Sequence, residues 1–69
     1  MKRVKLYILE EIDQTPTLED IQECVRIADG DDCIVKLLWT VRYSGKFERL
    51  IYPGTDPEDF FKNVIPHNY

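Results

Sequence analysis

"CIVKLLWTVRYSGKFERLIY", Cys33 to Tyr52, decides the fold of this chain. Its β-branched and aromatic residues stand on either side of Ser44-Gly45, which is the pattern of a β-hairpin. A three-residue loop with Gly45 in a bulge puts Leu37, Trp39 and Val41 on one face with Phe47 and Ile51. A two-residue Ser-Gly turn shifts the pairing by one and sets Trp39 against Leu50. The first register gathers more apolar side chains on one face and is the one expected.

Upstream, Val4, Leu6 and Ile8 alternate with Lys5, Tyr7 and Leu9, the period-2 signature of a strand. A helix follows. Thr15 ahead of Pro16, or Thr17 with Asp20 three residues on, supplies acceptors for the orphan N–H groups of its first turn. Leu18, Ile21, Val25 and Ala28 recur at helical spacing as a buried stripe, with Cys24 and Ile27 at its margins, and Asp29-Gly30 ends it. Downstream of the hairpin, Asp56 caps a second helix with Pro57 in its first position and Glu58 and Asp59 at the positive end of its dipole. Pro66 closes that helix.

The order strand, helix, strand, strand, helix, without repeat or flexible linker, predicts one compact α+β domain over residues 1–69. A chain of this length buries only about 60% of its unfolded surface, so every apolar group matters. Placing the third strand between the first two makes each neighbour antiparallel. That gives a mainly antiparallel three-stranded sheet of order 1-3-2 with both helices packed on it, a ferredoxin-like fold lacking its last strand. Order 1-2-3 is the competing arrangement.

Either register leaves large apolar groups on both sheet faces. With Leu37, Trp39 and Ile51 toward the helices, Leu38, Leu50 and Tyr52, together with Tyr7 and Leu9, are expected to face away. Tyr7, Leu50 and Tyr52 are therefore candidate apolar anchors for a partner, or the face pairs two copies in a homodimer. The alternative is that the second helix crosses to cover the face through Phe60, Phe61, Val64 and Ile65.

Motifs for chemistry are lacking. Asp29, Asp31 and Asp32 begin like a calcium loop, but Cys33 and Val35 follow where ligands belong and the next glutamate is Glu48. The single histidine, His67, and the cysteines Cys24 and Cys33 do not have zinc spacing, and Cys24 sits on the buried stripe without a base. A glycine-rich phosphate loop is missing among three glycines. The expectation is a protein that is not an enzyme and uses no metal or cofactor. The cysteines read as reduced and buried, and the basic start has no small-residue cleavage site, so a cytoplasmic, non-membrane location is expected.

Charge is sharply segregated. Residues 10–32 hold nine acids against Arg26 alone, a block of −8 within a chain of net charge −4. Residues 1–9 and 33–52 carry +3 each, and residues 53–69 carry −2. Such a block serves solubility, or it steers the protein onto a basic partner by imitating a nucleic acid. Glu19, Asp20, Glu23, Asp29, Asp31 and Asp32 are the residues expected to make that contact. Direct binding of nucleic acid is disfavoured by the same balance.

In size, acidity and helix-plus-sheet build the chain resembles small phage-encoded inhibitors, some anti-CRISPR proteins among them, and toxin-neutralising immunity or antitoxin proteins. The resemblance implies a protein-binding inhibitor or DNA mimic and rests on overall character, with no diagnostic residue.

Overall fold

The computed structural model describes residues 3–65. Its elements are β1 (Val4–Ile8), α1 (Leu18–Asp31), β2 (Ile34–Val41), β3 (Gly45–Ile51) and α2 (Pro57–Asn63), the order read from the sequence. Pro66, the expected helix stop, and His67 lie outside the described residues. The sheet order differs from expectation: β1 pairs with β2 in parallel and β2 with β3 antiparallel, so the order is β1-β2-β3 and the sheet is mixed. The ferredoxin-like 1-3-2 arrangement is thereby replaced.

Composition explains the exchange. The central strand must be covered along both edges and tolerate burial on both faces. β2 does so: Val35, Leu37, Trp39 and Val41 are buried on one face, while Ile34 and Leu38 are half-buried on the other. β3 carries Lys46, Glu48 and Arg49, charges suited to an edge. The parallel β1–β2 pair needs a long crossover, which α1 supplies.

The hairpin has the expected three-residue loop and the expected apolar face, with the pairing three residues, not one, from the Ser-Gly alternative. Arg42, Tyr43 and Ser44 form the loop, Gly45 opposes Val41 at φ +88°, and Trp39 opposes Phe47. The two rings stack with centroids 5.2 Å apart and planes 9° from parallel. Arg49 lies over both rings and donates from Nε to the Val64 carbonyl at 3.3 Å, which ties β3 to the end of α2.

α1 starts at Thr17 with a full capping box. The Asp20 N–H donates to Thr17 Oγ1 at 3.2 Å, and the Thr17 N–H donates to Asp20 Oδ2 at 2.9 Å. The end of α1 differs from expectation: the helix runs through Gly30 to Asp31, and Asp32 takes the left-handed conformation at φ 48°. Tertiary anchoring sets this stop. Cys33 is fully buried and its N–H returns to the Ala28 carbonyl at 3.1 Å, so the chain turns where Cys33 must enter the core. Asp56 caps α2 and Pro57 begins it, as read.

Ile21, Cys24, Val25 and Ala28 of α1 meet the buried face of β2, with Ile51, Phe60 and Ile65 completing the core. Leu18, expected within that stripe, is only half-buried. Both cysteines are free and buried. α2 packs beside α1 and does not cross to the other face of the sheet, so the alternative in which Val64 helps cover that face is not realised; Val64 is exposed.

Candidate functional site

Two surfaces on opposite sides of the sheet follow from this layering. On the helix side, the acidic residues are held in place by their own bonds. Asp20 accepts from Thr17 and, through Oδ1, from the Tyr7 hydroxyl at 3.1 Å. Asp29 accepts the Gly54 N–H at 2.7 Å, fastening the end of α1 to the turn before α2. Asp31 pairs with Lys5 across to β1, and that contact holds its carboxyl below the usual carboxylate range. Glu23 is gripped bidentately by Arg26, with Nε to Oε2 at 3.0 Å, and is lowered by the same hydrogen bonding. Glu19 is exposed in the first turn, and Asp32 is the exposed cap residue.

The six carboxylates named from the sequence lie along α1 and its cap, with Asp20 and Asp31 bonded toward β1 and Asp29 toward the turn before α2, and they differ in electrostatic weight. Lys5 and Arg26 offset Asp31 and Glu23. Among the described residues, Asp20 and Asp29 accept from neutral donors.

Tyr7 is placed differently from expectation. It pairs with Leu37 on the helix face of the sheet, half-buried against the core with Leu9, so neither residue faces away from the helices. Burial, reinforced by the adjacent Asp20 carboxylate, pushes the Tyr7 phenol up to about 12. Burial likewise pushes the Cys24 thiol up to about 12, with Asp20 and Glu23 adding to the effect, which keeps it protonated and unreactive.

The other surface is the uncovered sheet face. Parallel pairing puts Val4, Leu6 and Ile8 in register with Ile34, Lys36 and Leu38, and the hairpin adds Leu50 opposite Lys36 and Glu48 opposite Leu38. Val4, Leu6, Ile8 and Leu50 are 52%, 62%, 52% and 41% exposed, large fractions for apolar side chains ranged together. Tyr52, just past β3, is exposed as expected. In the midst of these groups Lys36 Nζ meets Glu48 Oε1 at 2.7 Å. Past the end of β1 lies a cleft of about 360 Å³ lined from both sides of the sheet, by Ile8, Leu38 and Thr40 of the open face and by Leu9, Trp39 and Phe47 of the helix face.

Sequence reasoning found Leu50 and Tyr52 but missed the β1 row. The alternation of Val4, Leu6 and Ile8 was visible, yet only the pairing partner decides which side of the sheet they occupy. Among the described residues, no three His, Cys, Asp or Glu side chains gather to hold a metal, and no helix is long and apolar enough to cross a membrane. Comparison with known protein families, curated proteins and solved structures found no match to this chain.

Proposed function

We propose that this protein is a non-enzymatic binding protein whose acidic helical layer engages, and thereby blocks, a basic protein that handles nucleic acid. The observation that supports this reading is that, among the described residues, Asp20 and Asp29 are held by neutral donors and not by cations, on the helix whose first turn exposes Glu19. Carboxylates already held in place lose little freedom on binding, and a negative layer accelerates encounter with a positive partner.

The fold also dictates how to test it. Reversing all six acids to lysine is the wrong perturbation, because Asp20, Asp29 and Asp31 join α1 to its cap, to the Gly54 turn and to β1. Glu19→Gln, Asp20→Asn, Asp29→Asn and Asp32→Asn together remove charge while keeping an acceptor at each site, and asparagine tolerates the left-handed cap. Wild type and this variant are immobilised and exposed to cell lysate at low and high salt, with retained proteins quantified by mass spectrometry. The expected result is retention of basic DNA- or RNA-handling proteins by wild type at low salt, reduced at least tenfold by the variant and by salt. Equal retention on both baits overturns the reading.

A further inference from the structure

We infer that the uncovered sheet face is a self-association surface, on which a second copy of this chain packs sheet against sheet with the acidic layers turned outward. The inference is independent of the acidic-layer reading, since it concerns the opposite side of the sheet. Three observations select a second copy as the occupant.

The first is charge placement. The carboxylates of α1 lie on the helix side, whereas the open face presents Lys36, Lys46 and Glu48 along β2 and β3. Two molecules of net charge −4 therefore meet by their least acidic surfaces, and the repelling layers stay on the outside of the pair.

The second is self-complementarity. Two rows cross the middle of the face, Leu6–Lys36–Leu50 and Ile8–Leu38–Glu48. A two-fold axis lying between the sheets and perpendicular to the strands exchanges these rows, as an isologous contact requires. Leu6 then faces the partner's Ile8, and Lys36 faces the partner's Leu38. Leu50 faces the partner's Glu48, and each Lys36 is offset laterally by about one strand spacing, ~4.8 Å, from that Glu48 across the ~10 Å between stacked sheets, a gap that two long side chains span. Each charge enclosed by the interface keeps its partner on its own sheet and has a second of opposite sign within side-chain reach on the other, which avoids burying an uncompensated ion.

The third is area. Covering the exposed parts of Val4, Leu6, Ile8, Leu50 and Tyr52, with half-buried Ile34 and Leu38, removes roughly 1,000 Å² over the two copies, which is at the threshold for a specific interface.

Sedimentation equilibrium of the full chain from low to several hundred micromolar tests this directly. The wild type is expected to shift from the 8.2 kDa monomer to twice that mass across the range. Leu6→Glu should weaken association at least tenfold while circular dichroism shows the fold retained. Lys36→Glu and Glu48→Lys should each weaken it about tenfold, and the double exchange should restore it. Gln22→Ala, on the opposite layer, should leave the mass curve unchanged. A wild type that stays monomeric at several hundred micromolar, including one whose face is taken by a foreign protein, overturns the inference. So does a charge-exchanged double variant that remains as weak as the singles. Neither outcome touches the lysate comparison, which reads the helical layer.

Discussion

Replacing Gly30 with alanine should stabilise this protein, although the sequence marks that glycine as a helix terminator. Gly30 lies within the last turn of α1, one residue before its end at Asp31. Among the described residues the glycines with positive φ are Gly45 and Gly54, so Gly30 has a conformation that any L-residue adopts. A Cβ built there meets nothing within 4 Å. The substitution therefore adds no clash and no packing, and it acts by narrowing the unfolded ensemble and improving helix propensity. The interior value for glycine against alanine is ~1 kcal/mol, and fraying in the last turn reduces it, so a gain of about 0.5–1 kcal/mol is expected. For a domain of this size that raises the thermal midpoint by roughly 3–7 °C. Urea unfolding followed by helix circular dichroism and by the emission of buried Trp39 measures it, at one low protein concentration so that association does not enter. The slope against urea should be unchanged. A loss of ~1 kcal/mol instead would place Gly30 in the left-handed region, ending α1 at Asp29-Gly30 and refuting the assignment of the cap to Asp32.

The opposite sign is expected for Gly45→Ala, because φ +88° in the hairpin bulge penalises a Cβ; a loss of about 1–2 kcal/mol in the same urea experiment is expected, and neutrality would contradict the bulge. Ultraviolet titration should show one tyrosine ionising near pH 12, absent from Tyr7→Phe and moved to lower pH by Asp20→Asn, which removes the neighbouring charge. Since the folded-state value is raised, the associated stability is complete below pH 10 and is lost as pH rises toward 12. If no tyrosine transition is delayed, burial of Tyr7 against α1 is wrong. The Asp31 carboxyl is lowered in the folded state by Lys5, so its contribution is present above the ordinary carboxylate range and lost on acidification through the lowered value. Asp31→Asn should therefore flatten the acid limb of the stability profile, and an unaltered limb would show that the Lys5 pair does not matter.

Much of the architecture was legible because local chemistry and tertiary structure agree. The Thr17–Asp20 box, the Asp56–Pro57 start and the Gly45 bulge each depend on a few adjacent residues, and the hairpin register followed from apolar side chains gathering on one face. Sheet order was harder, because it depends on which strand tolerates two covered edges. The charges of β3 contained that signal, but the preference for all-antiparallel neighbours masked it. The placement of Tyr7 and of the Val4–Leu6–Ile8 row inherited the error, since pairing fixes which side of the sheet each residue occupies. The end of α1 was misplaced for a different reason: Gly30 is a local stop signal, whereas burial of Cys33 is a long-range demand, and the long-range demand prevails. The acidic layer was visible as composition, but the bonds that separate Asp20 and Asp29 from the ion-paired Glu23 and Asp31 required three dimensions.

The central position of β2 also dictates an order of assembly. Its contact with β3 closes a loop of only three residues, Arg42–Ser44, an event of microseconds with little entropy to overcome. Its contact with β1 joins residues thirty positions apart, such as Val4 and Ile34, and waits for α1 to form and dock. β1 is thus the last strand to join and the first to leave, and its amides should exchange with solvent sooner than those of β2. When β1 departs it takes Val4, Leu6 and Ile8 with it, so association through that row fills the most loosely attached edge of the domain with contacts the isolated chain does not have.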